Sequence, residues 1–125
     1  MNEGPSLIPG IWHSVRGYEG GGRGQALADE RDVTLSQQGD VIRVRSLPGS
    51  PSRLEMDLTF GGRQGVMGTW MERPGPGGNH AGRVFIGTAL FILAEDGRSM
   101  TGRWTGGDKD IAEVHMGTWK LTLAR

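Results

Sequence analysis

The sequence predicts an all-β protein: an eight-stranded antiparallel up-and-down meander closed into a β-barrel. Three observations point there. First, Gly10-Ile11-Trp12, Gly68-Thr69-Trp70, Gly102-Arg103-Trp104 and Gly117-Thr118-Trp119 share the form Gly-x-Trp and hold every tryptophan of the chain. Residues two apart on a strand lie on one face, so each copy sets a large ring beside a position with no side chain, as a curved sheet requires. Second, eight short strand-like segments follow one another through turn residues, with no amphipathic helix longer than a turn or two. Third, Gly-x-Trp occurs in both the first and the last segment, which become neighbours when a meander closes and loses its edges. A two-sheet sandwich is the alternative.

Residues 1–9 read as a flexible arm and residues 10–125 as one barrel domain. A frayed terminus is the plain reading of the arm; a flap over one end, with Leu7 and Ile8 docking, is the functional one. In Ile11 to Glu19, Trp12, Ser14, Arg16 and Tyr18 share one face, and Ile11, His13 and Val15 the other. Gly20 to Gly24 is a glycine-rich loop, but no helix and no Gly-Lys-Ser/Thr ending follows, so it is not a phosphate loop. Gln25 to Gln37 is the second strand, with Val33 and Leu35 inward. Gly39-Asp40 turns into Val41 to Leu47, where Ile42 and Val44 alternate with Arg43 and Arg45. Arg53 to Phe60 alternates most cleanly, with Leu54, Met56, Leu58 and Phe60 on one face, so the sheet is wet on one side only.

Gly61-Gly62 leads into Val66 to Arg73, where Trp70 and Glu72 share a face. A loop over Pro74 to Gly82 carries Asn79 and His80. Val84 to Ala94 is apolar on both faces. Asp96-Gly97 is a hairpin signal. Ser99 to Thr105 is the seventh strand, Gly106 to Glu113 a charged loop with a short turn at Ile111 to Val114, and Val114 to Ala124 the eighth strand.

Composition narrows the function. With 14 basic and 14 acidic residues the formal net charge is zero, so no broad counterion-displacing surface is expected and direct nucleic-acid binding is not. There is no cysteine, which removes disulfides and thiolate metal sites. No apolar run approaches the roughly 20 residues of a membrane span, and the first ten residues lack a signal-peptide layout. A cytoplasmic protein without a membrane role is expected.

The opening Gly10-Ile11-Trp12 resembles the Gly-x-Trp that begins the first strand of lipocalins and avidins, the calycin group. A fuller pattern runs through Leu35-x-x-x-Gly39, Ser46-Leu47-Pro48-Gly49, Leu54-x-Met56-Asp57-Leu58, Gly68-Thr69-Trp70-x-Glu72, Gly97-Arg98-x-Met100-x-Gly102-x-Trp104 and Gly117-x-Trp119-x-Leu121-Thr122. It is similar to the carboxy-terminal barrel of a group of actinobacterial helix-turn-helix regulators, over roughly Gly10 to Leu123. The resemblance implies a barrel that senses a small ligand. It carries over no catalytic or ligand residues. This sequence lacks the helix-turn-helix, so it reads as a stand-alone relative or an excised domain.

Polar groups on the apolar faces mark the candidate site. Trp12, Ser14, Arg16, Tyr18, Met56, Trp70 and Glu72 are the expected ligand-binding residues, since a few polar groups among aromatic walls make a small-molecule pocket. Arg16 offers a planar fork to a carboxylate or phosphate; pairing with Glu72 is the structural alternative. The copies at Gly10 and Gly68 are expected to border the ligand and the other two to serve packing. His13, His80 and His115 have no metal-ligand spacing, so no metal or other cofactor is expected. Asp29, Glu30, Asp108 and Asp110 read as solvated charges, and no Gly-x-Ser-x-Gly elbow occurs.

The leading reading is a ligand sensor or carrier for a small, largely apolar molecule. The alternatives are a natural-product cyclase of the [4+2] type, in which Arg16, Tyr18 and a lid of residues 1–9 fold the substrate, and a nucleotide-messenger sensor using Arg16, Arg43 and Arg45. The second apolar face of Val84 to Ala94 predicts a homodimer through that strand.

Overall fold

The computed structural model describes residues 6–19, 25–76, 82–110 and 113–124, with residues 25–28 described for their backbone alone. The arm's residues 1–5, the Gly20 to Gly24 loop, Asn79 and His80, and the Ile111 part of the short turn lie outside them. Eight strands form: β1 (Gly10–Glu19), β2 (Gln25–Gln38), β3 (Val41–Ser46), β4 (Ser52–Phe60), β5 (Gly65–Pro74), β6 (Phe85–Leu93), β7 (Ser99–Asp108) and β8 (His115–Leu123). Each pairs antiparallel with the next, and β8 pairs with β1, closing an eight-stranded meander barrel. The described residues contain no helix, and so none long and apolar enough to cross a membrane.

Alternation decides which side chains enter the lumen. Trp12, Val33, Leu35, Ile42, Val44, Leu54, Met56, Leu58, Val66, Phe91, Leu93, Met100, Trp119 and Leu121 are buried there, each contributing about 1.5–3 kcal/mol of hydrophobic stabilisation. Their intervening residues, such as Arg43, Glu55, Asp57 and Arg103, face water. β7 runs three residues beyond the expected Thr105, because its ladder with β6 continues through Gly106, Gly107 and Asp108 to Phe85.

The Gly-x-Trp copies work across strands. Trp70 is paired with Gly87, where a Cβ would stand 2.7 Å from the indole nitrogen; at Gly106 on β7 it would stand 2.5 Å from the same ring. Trp104 lies likewise over Gly117, 2.8 Å from a Cβ built there, and its Nε1 donates to the Gly17 carbonyl at 2.7 Å. Each ring therefore covers glycines of neighbouring strands. The glycine of its own copy instead admits a neighbouring backbone: a Cβ at Gly68 would meet the Asp57 carbonyl at 1.9 Å, and one at Gly102 the Leu90 carbonyl at 1.8 Å.

Residues 6–9 plug one end of the barrel. Leu7 is buried and its N–H donates to Gln37, Ile8 N–H donates to the Gly97 carbonyl, and the Ile8 carbonyl accepts from Trp12 Nε1 at 2.9 Å. Gly97 is required there: its φ is +72°, and a Cβ would stand 2.2 Å from the Ser6 carbonyl. This part of the expected arm is thus docked, through Leu7 and Ile8. The first and last Gly-x-Trp copies do sit on adjoining strands, with Trp12 opposite Leu123 and Trp119 opposite Arg16.

Candidate functional site

From the plugged end to the level of Arg16 the lumen is filled by side chains, and beyond that level it holds a cavity of about 430 Å³. The strand ends that form it supply Arg16 and Tyr18 from β1, Trp70 and Glu72 from β5, Phe85 from β6, Trp104 and Asp108 from β7, and His115 from β8. Arg83 and Glu113 lie on the approaches to β6 and β8. Opposite Arg16, β2 carries one extra residue, since Arg16 pairs with Asp29 and Gly17 with Leu27. Such a bulge sharpens the local twist where the packed lumen gives way to the cavity.

Arg16 is the centre of the site. Only 7% of it is exposed. Its guanidinium carbon stands 5.0 Å from the Trp70 ring centre, 5.5 Å from that of Trp104 and 4.9 Å from that of Trp119. A cation held among three indole faces is stabilised by their quadrupoles. The rings brace one another edge to face: Trp70 and Trp104 lie 5.7 Å apart, and Trp70 and Trp119 5.9 Å apart. Arg16 Nη2 donates to Glu72 Oε1 at 2.6 Å, while the buried Nε and Nη1 have no hydrogen-bond acceptor among the described residues.

Glu72 joins two cations. Its Oε2 accepts from Arg31 at 2.6 Å and from the Ser52 hydroxyl at 2.7 Å. Arg31 also holds Asp29 through two hydrogen bonds of 2.8 and 3.0 Å. Two cations and two carboxylates thus make a formally neutral cluster, as charges inside a barrel must. Burial pushes the Glu72 carboxyl up, but the Arg16 charge and hydrogen bond, with the Ser52 hydrogen bond and the Arg31 charge, outweigh it and hold it below the ordinary glutamate range. Arg31 is held above its ordinary value: burial works against its charge, and the hydrogen bonds and charges of Asp29 and Glu72 overcome that.

At the wall of the cavity the Tyr18 hydroxyl stands 3.1 Å from His115 Nδ1, with the two rings 5.2 Å apart. His115 Nε2 lies 3.3 Å from Glu113. Asp108 is held by Arg83 at 3.2 Å.

The expected site residues divide in two. Arg16, Tyr18, Trp70 and Glu72 line the cavity. Trp12, Ser14 and Met56 lie in the packed lumen: Trp12 holds the plug, the Ser14 hydroxyl accepts from Trp119 Nε1 at 2.8 Å, and Met56 is paired with Trp70 on the adjoining strand. Trp104, from a copy expected only to pack, lines the cavity, whereas Trp12 does not. Asp29 and Asp108, read as solvated, are instead bound into ion pairs with largely buried carboxylates. Period two reaches both Arg31, two residues before Val33, and His115, two before Gly117. Neither stands out in the sequence, because polar residues at strand ends look like solvated ones. Arg43 is exposed on the outside, and Arg45 pairs there with Asp57 at 2.9 Å.

A larger recess of about 820 Å³ lies over β4 to β7, where Thr69, Thr88 and Thr105 form a row on the outer face. It contains no buried group without a partner among the described residues. No known protein family, curated protein or solved structure matches the chain. The architecture established is therefore the closed eight-stranded meander, which is compatible with a calycin-like fold.

Proposed function

We propose that this chain is a small-molecule-binding barrel, a sensor or carrier whose ligand occupies the cavity between Arg16, Tyr18, Trp70, Glu72 and Trp104. The observation that carries the reading is Arg16: a cation at the floor of an aromatic cavity, with two buried nitrogens that lack an acceptor among the described residues. Buried donors without partners cost about 1–3 kcal/mol each, and a ligand oxygen met by a turn of the guanidinium toward the cavity would offset part of that. The volume suits one flat molecule of two or three rings, and the walls of Trp70, Trp104, Phe85 and Tyr18 suit apolar surface. In this reading Trp12, Ser14 and Met56 hold the binding residues in place. The calycin-like kinship, and that with the regulator barrels, belong to the same reading; strand order and the spacing of the Gly-x-Trp copies support them.

Native mass spectrometry of protein purified from its own host tests the proposal. A co-purified molecule whose binding weakens in both Arg16→Ala and Tyr18→Phe is the expected result. Equal binding by the parent and both variants would show that this cavity is not the site. Residues 6–9, the described part of the lid that the cyclase reading uses, sit at the far end from Arg16 and Tyr18 and so lend that reading no support. The outward Arg43 and Arg45 give no support to a nucleotide site.

A further inference from the structure

The contact between Tyr18 and His115 has a direction that depends on charge. The Glu113 carboxylate only accepts, so the proton of neutral His115 belongs on Nε2, facing Glu113 at 3.3 Å. Nδ1 is then a bare acceptor, and the Tyr18 hydroxyl 3.1 Å away donates to it. Tyr18 shows the cavity only lone pairs in that state. Protonated His115 carries hydrogen on both nitrogens. Nδ1 then donates to the Tyr18 oxygen, and the phenolic hydrogen is released toward the cavity. The cavity changes from accepting to donating at that point, beside the Arg16 guanidinium that also lines it.

Resting on the binding reading above, we infer that His115 sets the polarity of Tyr18, so that the protonated site takes a flat, neutral carbonyl compound by its oxygen. A neutral carbonyl fits better than a carboxylate because the cluster of Arg16, Glu72, Arg31 and Asp29 sums to zero and needs acceptors rather than charge. The rest of the cavity does not attract an anion either: with His115 protonated, it and Arg83 only balance Asp108 and Glu113. Charged groups around His115 are Glu113 on its own approach segment, Asp108 of β7 with Arg83, and the Arg16–Glu72 pair across the cavity. Histidine is the side chain that changes charge between about pH 5 and 8. His13 lies on the opposite face of β1, bound to Asp32 and Glu30, and does not touch the cavity.

Two flat bicyclic probes separate the outcomes: coumarin, which only accepts hydrogen bonds, and indole, whose ring N–H donates. Each is titrated by calorimetry at about pH 5.5 and pH 8, spanning the range over which histidine charges. Coumarin is expected to bind about five-fold tighter at the lower pH, and indole about five-fold tighter at the higher, the worth of one hydrogen bond. Tyr18→Phe and, as a second variant, His115→Gln should abolish both differences while near-ultraviolet dichroism stays native. If the probes bind but their pH dependences share a sign, or survive in Tyr18→Phe, the switch is overturned and the cavity stands. If neither probe binds at either pH, the binding reading falls and takes the switch with it.

Discussion

Arg16 Nη2 and Glu72 Oε1 come from positions 56 residues apart and meet at 2.6 Å inside the barrel. The pair ties β1 to β5 across the lumen, where no backbone ladder can reach. Glu72 answers two guanidinium groups and Arg16 only one carboxylate, so the two partners are unequal. Glu72→Gln leaves Arg16 and Arg31 sharing a single counter-charge, Asp29. It should cost about 3–5 kcal/mol in urea unfolding. Arg16→Met should cost less, about 1–2 kcal/mol, because Glu72 keeps Arg31 and Ser52 and a flexible thioether packs well against indoles.

Glu72 also sets the acid limit. Its folded carboxyl lies below the ordinary glutamate value, so its contribution is present above the unfolded value and is lost as pH falls through the folded one. Unfolding free energy should therefore drop as the pH falls below about 4. In Glu72→Gln that acid-side slope should be shallower, as chemical denaturation at a series of pH values would show.

His13 works in the reverse sense and more weakly. Hydrogen bonds to Asp32 and Glu30, reinforced by their charges, raise its affinity for a proton. Its contribution is complete below the unfolded value and fades as pH rises through the folded one. The side chain is 42% exposed, so the effect is that of a screened surface pair, within about 1 kcal/mol. His13→Gln should flatten the decline of stability just above neutral pH and leave the cavity's ligand behaviour untouched.

Glycines under the rings should be intolerant in proportion to what lies over them. A Cβ at Gly117 meets the Gly17 carbonyl at 1.9 Å and the Trp104 nitrogen at 2.8 Å, whereas one at Gly65 meets nothing within 4 Å. Gly117→Ala should lose about 3 kcal/mol or more, at the upper end for overpacking. Gly65→Ala should change stability by no more than about 0.5 kcal/mol. Melting curves of the two variants side by side make the comparison.

The outer face of β5 and β6 should carry a second copy of the chain. Met67, Ile86, Leu90 and Ile92 are each about half exposed, an apolar strip of the kind that marks interfaces. Glu55 and Asp57 flank it on β4, and Arg103 and Lys120 on β7 and β8. A two-fold axis along the strands would set the acidic flank of one copy against the basic flank of the other. Light scattering at micromolar concentration should return twice the 13.5 kDa chain mass, and Ile92→Asp should return the single mass. A monomeric parent protein would rule the interface out.

Much of this was legible in the sequence. Period two named the inward residues of β1 and β5, including Arg16, Tyr18, Trp70 and Glu72, since alternation survives any uncertainty in strand ends. It also announced the closed meander, because Gly-x-Trp marks both strands at the seam. What stayed hidden lies where strands end. Asp108 looked like a loop charge until β7 was seen to keep its register with β6. Asp29 looked solvated because nothing local shows that Arg31 turns inward to meet Glu72, 41 residues away. The partner of a buried charge depends on barrel closure, and closure is a property of the whole chain.

The plug of residues 6–9 carries one last implication. β1 begins and β8 ends at that sealed end, beside the tight turns around Gly39, Gly62 and Gly97. Ser6 and Ala124, the outermost described residues, both lie at that end, far from Arg16 and His115. A tag, a reporter or a second domain tethered to these residues would start from the end opposite the cavity. Arg83 and Glu113, by contrast, belong to connections at the other end, so changes in those connections would act on the rim of the cavity and not on the sealed lumen.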